Sequence, residues 1–158
     1  MSSAGATPSS ATPSSAPNGV STYAAVTESP LSVDALLVRV SDRRVGGIGL
    51  FLGVIRDRDE GSAVGSLDYT GHPSAADALR ACAERVAAAY DVLSVAVEHR
   101  IGHLEIGDLA VVVAVGAVHR GPALEACHRL IDDLKADVPI WKEQHFTDGR
   151  TSWVGLGD

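Results

Sequence analysis

The chain has 158 residues, 46% of them hydrophobic and 21% charged, and carries a formal net charge of −7. That length and balance fit one soluble globular domain, and the acidic charge argues against a nucleic-acid partner. Two cysteines far apart in sequence, Cys82 and Cys127, exclude a disulfide framework or zinc ribbon, and the longest apolar run, Leu109 to Val118, is about half of the ~20 residues a membrane helix requires.

Residues 1–19 are Ser, Ala, Thr, Pro and Gly with a single Asn after the initiating Met. Such a stretch cannot bury enough apolar area to offset its ordering entropy, so a disordered leader is expected there and a single domain over 20–158. With no basic segment ahead of an apolar one, it does not read as a signal peptide, and a reduced, cytoplasmic protein is expected. A short strand follows over Thr22 to Thr27. Ser32 then caps a helix from Val33 to Val40, where Leu36, Leu37 and Val40 share one face. Val45 to Asp57 reads as a long buried strand whose glycines permit bends or close backbone approach. A polar loop, Arg58 to Gly65, leads to a strand over Ser66 to Thr70. Ser74 to Tyr90 forms the second helix, with Ala78, Cys82, Val86 and Ala89 near one stripe. Leu93 to Ile101 and Leu109 to Val118 are strands around a turn at Gly107-Asp108. The third helix runs from Pro122 to Ala136 and is closed off by Pro139. Ile140 to Phe146 and Thr151 to Val154 end the chain as strands about Asp148-Gly149. Hairpins alternating with helices make this an α+β fold with a mostly antiparallel or mixed sheet.

The basic residues are unevenly drawn: eleven are arginine and two are lysine, Lys135 and Lys142. Lys135 falls in the last turn of the third helix, where the helix dipole favours a cation in any case. Lys142 shares a strand face with Ile140, Gln144 and Phe146. Because Pro139 turns the chain between them, the two lysines are expected to converge on one pocket. His119-Arg120 stands where an apolar strand ends and a helix begins, a place where free N–H groups and the dipole favour an anion such as phosphate or carboxylate. Read without a ligand, the pair is a solvated arginine beside a histidine that caps the strand. Arg56, at the end of its strand, needs an acid or an anionic ligand, and Asp57, Asp59 and Glu60 are near. His99 and His103 have an H-x-x-x-H spacing on a strand and turn, not on the helix that would aim both at zinc, so no metal site and no cofactor is expected.

These pieces resemble the large catalytic subunit of molybdopterin synthase. The resemblance rests on Phe51-Leu52-Gly53-Val54-Ile55-Arg56-Asp57, His99-Arg100-Ile101-Gly102 with Gly107-Asp108, Val118-His119-Arg120, Leu134-Lys135, Pro139-Ile140-Trp141-Lys142-Glu143 and Trp153-Val154, in register from Val45 to Val154. It implies an α/β hammerhead-like α+β fold and a sulfurtransferase of molybdenum cofactor biosynthesis. Two sulfurs would pass to cyclic pyranopterin monophosphate from the C-terminal Gly-Gly thiocarboxylate of a small ubiquitin-like subunit. The implied assembly is a homodimer carrying one small subunit at each end, a 2:2 heterotetramer. Carried over by position, Lys135 and Lys142 are the catalytic lysines. Val54, Ile55, Arg56, His119, Arg120, Glu143 and Gln144 line the substrate pocket with them. Family members often carry a further basic residue shortly after the Trp-Val pair, where this sequence reads Gly155-Leu156-Gly157-Asp158; either Arg150 substitutes for that charge or the pocket is less basic. The rival reading is a non-catalytic module that binds a phosphorylated ligand through His119-Arg120.

Overall fold

The computed structural model describes residues 14–15 and 19–156. In chain order the elements are β1 (Ser14–Ser15), β2 (Ser21–Thr27), α1 (Val33–Val40), β3 (Gly47–Val54), β4 (Arg58–Asp59), β5 (Ser62–Gly71) and α2 (Ala75–Ala89). There follow β6 (Ser94–Arg100), β7 (Gly102–Glu105), β8 (Leu109–Ala117), α3 (Arg120–Asp137), β9 (Ile140–Phe146) and β10 (Thr151–Gly155). A first sheet has the order β1-β2-β6-β8-β3, and a second has the order β10-β9-β5-β4 with β7 also on β5. Among the described residues only β2 and β6 pair in parallel, and every other ladder is antiparallel. The expected α+β class with a mixed, mostly antiparallel arrangement is what the chain adopts.

The apolar run of β8 is unbroken because both of its faces are covered. Val111, Val113, Val115 and Ala117 pack with α2 and α3 residues such as Leu79, Val86, Leu130 and Leu134. Val112 and Ala114 point the other way, onto Leu36 and Val40 of α1. Helix α1 starts where expected, with Ser32 Oγ accepting from the Ala35 N–H at 3.2 Å. A third, smaller cluster of Ile55, Leu67, Leu104 and Ala110 joins the two sheets.

Several boundaries differ from the sequence reading. The strand expected over Val45 to Asp57 is Gly47–Val54, because a register shift between Gly53 and Val54 ends its ladder on β8. The expected loop from Arg58 to Gly65 contains β4 and the start of β5, which a tight turn at Glu60-Gly61 joins with positive φ at both residues. The stripe on α2 is Ala75, Leu79, Cys82, Ala83, Val86 and Ala87, while Ala89 is exposed. Of the leader over 1–19, Ser14–Ser15 pairs with Ser21 and Thr22, and all but these two residues and Gly19 lies outside the described residues. Among the described residues no helix is long and apolar enough to cross a membrane.

Candidate active site

The site forms where the C-terminal end of β3, the inner face of the second sheet and the last turns of α3 meet. Past the end of β3, the Ile55 N–H donates to the Asp108 carbonyl at 3.0 Å and the Ile55 carbonyl accepts from the Gly107 N–H at 2.8 Å. These bonds pin the segment that carries Arg56. Arg56 therefore lies beyond the strand rather than on a face with Leu50, Leu52 and Val54, and is largely exposed, with Asp59 at 3.6 Å. An exposed pair at that distance adds little stability and leaves the guanidinium available.

Helix α3 ends with the Val138 N–H on the Leu134 carbonyl, and the chain reverses through Pro139 into β9. That reversal puts Lys142 on the border of the same cavity as Lys135. In the register of the second sheet Lys142 stands opposite Tyr69 on β5 and Val154 on β10. Gln144, two positions on, lies on the same face, is buried, and accepts from Ser152 Oγ at 3.3 Å. A cavity of about 400 Å³ is bordered by Phe51, Leu52, Val54, Arg56, Tyr69, His99, Lys135 and Lys142. Among the described residues its lining holds three cationic side chains and no carboxylate. Val54, Ile55, Arg56, Lys142 and Gln144 also border a smaller adjoining recess of about 80 Å³.

Three of the expected site residues are not brought there. Glu143 alternates onto the opposite face of β9 from Lys142 and Gln144, where it stands in register with Asp68 and Trp153. His119 and Arg120 are exposed at the first turn of α3, with His119 as its N-cap. Lys135 is in the last turn of the same helix, so the two ends are separated by about 22 Å at 1.5 Å per residue. One chain alone does not join its anion-favouring helix start to its lysines.

A family model described as MoaE protein matches residues 26–137. The chain belongs to the MoaE family. It is 40% identical over 138 residues to a protein of Mycobacterium tuberculosis named molybdopterin synthase catalytic subunit 1, covering 87% of this chain and 93% of that one. It is 36% identical over 135 residues to a molybdopterin synthase catalytic subunit of Nostoc, covering 84% and 82%. Among solved structures, molybdopterin synthase from Staphylococcus aureus superposes with a TM-score of 0.77 at 28% identity, over 82% of this chain and 95% of that one.

In this MoaE chain the cavity also takes in His99 and Tyr69, which the sequence does not place there by spacing. The H-x-x-x-H spacing pairs His99 with His103, and the fold parts the two. His99 is buried at the cavity, whereas His103 sits on the outer face of the second sheet, 3.1 Å from Asp68 and 2.8 Å from Glu105. The signal that could have found His99 is strand alternation, which puts it on the face of β6 shared with the buried Val95 and Val97. Tyr69 likewise shares a face of β5 with Leu67.

Proposed function

We propose that this chain, as a MoaE-family subunit, transfers sulfur to cyclic pyranopterin monophosphate. Two sulfurs come in succession from the C-terminal thiocarboxylate of a small ubiquitin-like partner. The observation that carries this reading is the cavity itself. In a protein of net charge −7, three cations and no acid border it among the described residues, and the chain's two lysines are both among those cations. Such a lining favours an anionic substrate and an anionic donor together, which otherwise repel. Lys135 and Lys142 hold the donor's thiocarboxylate beside the pterin side chain. Lys142, half-buried between Tyr69 and Val154, stabilises the negative charge that shifts from sulfur to oxygen as the new bond forms. Arg56 with the backbone at Val54 and Ile55, and Gln144 beside them, shape the pterin recess.

Self-association accounts for His119 and Arg120. Strand β3 is an edge of its sheet, with Ile48, Leu50, Leu52 and Val54 each about 40–50% exposed. An open apolar edge of this kind is a template for pairing with another chain. Two copies joined antiparallel along β3 about a two-fold axis set the Gly47 end of one strand beside the Val54 end of the other. Arg120 packs against Gly47, where a Cβ would lie 3.2 Å from the Arg120 Cα. The pairing therefore carries His119 and Arg120 of one copy toward the cation-lined cavity of the second. The phospho-ligand module is disfavoured, because in one chain His119 and Arg120 stand apart from that cavity.

The deciding experiment supplies a thiocarboxylated small subunit and cyclic pyranopterin monophosphate, and measures dithiolene formation. Product is expected with the intact partner and none with a partner lacking its last two glycines. Equal product from both would overturn the reading.

A further inference from the structure

We propose that His99 is a substrate-recognition residue of the cavity, accepting a hydrogen bond at Nε2 from an N–H of the pterin ring system. The proposal rests on the reading of the cavity as the pterin site. The imidazole is 2% exposed, and its Nδ1 lies 2.8 Å from the Arg100 carbonyl oxygen. A carbonyl can only accept, so Nδ1 carries the proton. Burial holds the ring's pKa down to about 4, so the second nitrogen keeps its lone pair at neutral pH. The ring is fixed from the side as well, edge-to-face with Tyr69 at a centroid distance of 5.0 Å and an angle of 88°.

Nε2 has no donor among the described residues. Yet among these residues no buried side-chain nitrogen or oxygen lacks a partner. The atom therefore opens onto the cavity that His99 borders. The Tyr69 hydroxyl, beside Lys142 in the register, is without a partner among the described residues by the same reasoning.

Cations alone do not distinguish a pterin phosphate from any other small anion. A neutral acceptor does, since its lone pair repels an oxyanion and attracts an N–H. With Arg56, Lys135 and Lys142 drawing the charged groups, His99 receives the N–H edge of the bicyclic ring, and the substrate is oriented. Sites that hydrogen-bond a substrate group discriminate strongly against analogues that lack it.

The test separates recognition from a merely structural role. His99→Asn places its amide N–H where Nδ1 donated, which keeps the bond to the Arg100 carbonyl, but has nothing at the Nε2 position. His99→Gln reaches that position. With thermal melting and small-subunit affinity unchanged, Asn is expected to raise the KM for cyclic pyranopterin monophosphate about five-fold or more with little change in kcat, and Gln to restore most of it. An unchanged KM in the folded Asn variant overturns the proposal. A second measurement needs no variant. In wild-type protein with 15N-labelled histidine, adding the precursor without the small subunit is expected to move the His99 Nε2 resonance upfield, and an unmoved resonance overturns the proposal. Wild-type turnover with the thiocarboxylated partner is measured alongside. Its absence with the resonance shift intact sinks sulfur transfer and leaves recognition standing, whereas turnover with an unmoved resonance sinks recognition alone.

Discussion

At the scale of single residues, the two lysines differ in how their positions arise. Lys135 is exposed in the last turn of α3, where its charge also offsets the helix dipole. Lys142 is held from both sides by strand neighbours and has no such structural reason to be a cation. Lys142→Ala is therefore expected to lower dithiolene formation by ~100-fold or more, as removal of a group aimed at developing charge does elsewhere. Small-subunit binding, followed by calorimetry, should survive. Lys142→Arg keeps the charge but replaces a compact ammonium with a planar fork, so partial rescue is expected where charge is the main requirement. Lys135→Ala should be milder. Wild-type turnover in both alanine variants would remove the catalytic role from this pair. Arg120, exposed and with no ion pair to a carboxylate within the chain's described residues, should tolerate Arg120→Ala with little loss of Tm. Losing a charge-assisted contact to phosphate is worth about 1.5–3 kcal/mol, a rise in KM of roughly ten-fold or more.

At the scale of elements, the site depends on how closely α3 lies on β3. Gly49 makes that approach possible: a Cβ there would run into the Ala123 backbone and come 3.1 Å from the Cys127 Cβ. Gly49→Ala should cost about 1–3 kcal/mol, read as a lowered Tm. It should also reduce turnover, because the helix that must shift carries Lys135. The outer face of the second sheet has its own device, a chain of hydrogen bonds across β7, β5 and β9. Asp68 bonds His145 at 2.6 Å and His103 at 3.1 Å, and Glu105 bonds His103 at 2.8 Å. The histidines, His145 first, hold the Asp68 carboxyl below its usual range, and Glu105 and then Asp68 raise the His103 imidazole. A raised histidine contributes fully below its unfolded pKa and loses its contribution as pH rises through the folded value. A lowered carboxylate contributes above its unfolded pKa and loses it as pH falls through the folded value. Both contributions coexist between about pH 4 and 6.5. Asp68→Asn should therefore lower Tm more near about pH 5.5 than near about pH 8, by a modest amount since these side chains are a third to a half exposed to solvent. An equal drop at both values would mean that charge plays no part. Much of this architecture was readable from pattern: the double-faced β8, the cap at Ser32, and the return from Lys135 to Lys142 through Pro139. Alternation along β9 also contains the parting of Glu143 from Lys142, since adjacent residues of a strand face opposite ways. The bulge that frees Arg56 from its strand was not readable, because no residue type announces a lost pairing on β8. Nor was β7, which exists only because Gly102–Glu105 finds an edge of β5 to lie against.

At the scale of the whole molecule, the length of α3 decides what one chain can do alone, and the helix expected over Pro122 to Ala136 already contains it. Arg120 and Lys135 are near in sequence, yet a helix spends its residues on length, and about 22 Å separates them along α3. If the anion-favouring end serves the catalytic end, it does so in a second copy, and β3 offers the contact. A mixing experiment tests this. On this arrangement, and with substrate well below KM, Arg120→Ala and Lys142→Ala homodimers each lose one half of every site, so each should be weak or inactive alone. Denaturing and refolding an equal mixture makes heterodimers in which one cavity combines an intact Lys142 with an intact Arg120 from the other copy. Half of the dimers are of this kind and one site in two is whole, so about a quarter of wild-type dithiolene formation should return. Sedimentation confirms that dimers have re-formed, and Leu50→Lys on the β3 edge, expected to block pairing, supplies the control by abolishing the recovery. Were Arg120 to serve the lysines of its own chain, the Arg120→Ala copy would have no whole site in any pairing. The mixture would then stay at the sum of its parts.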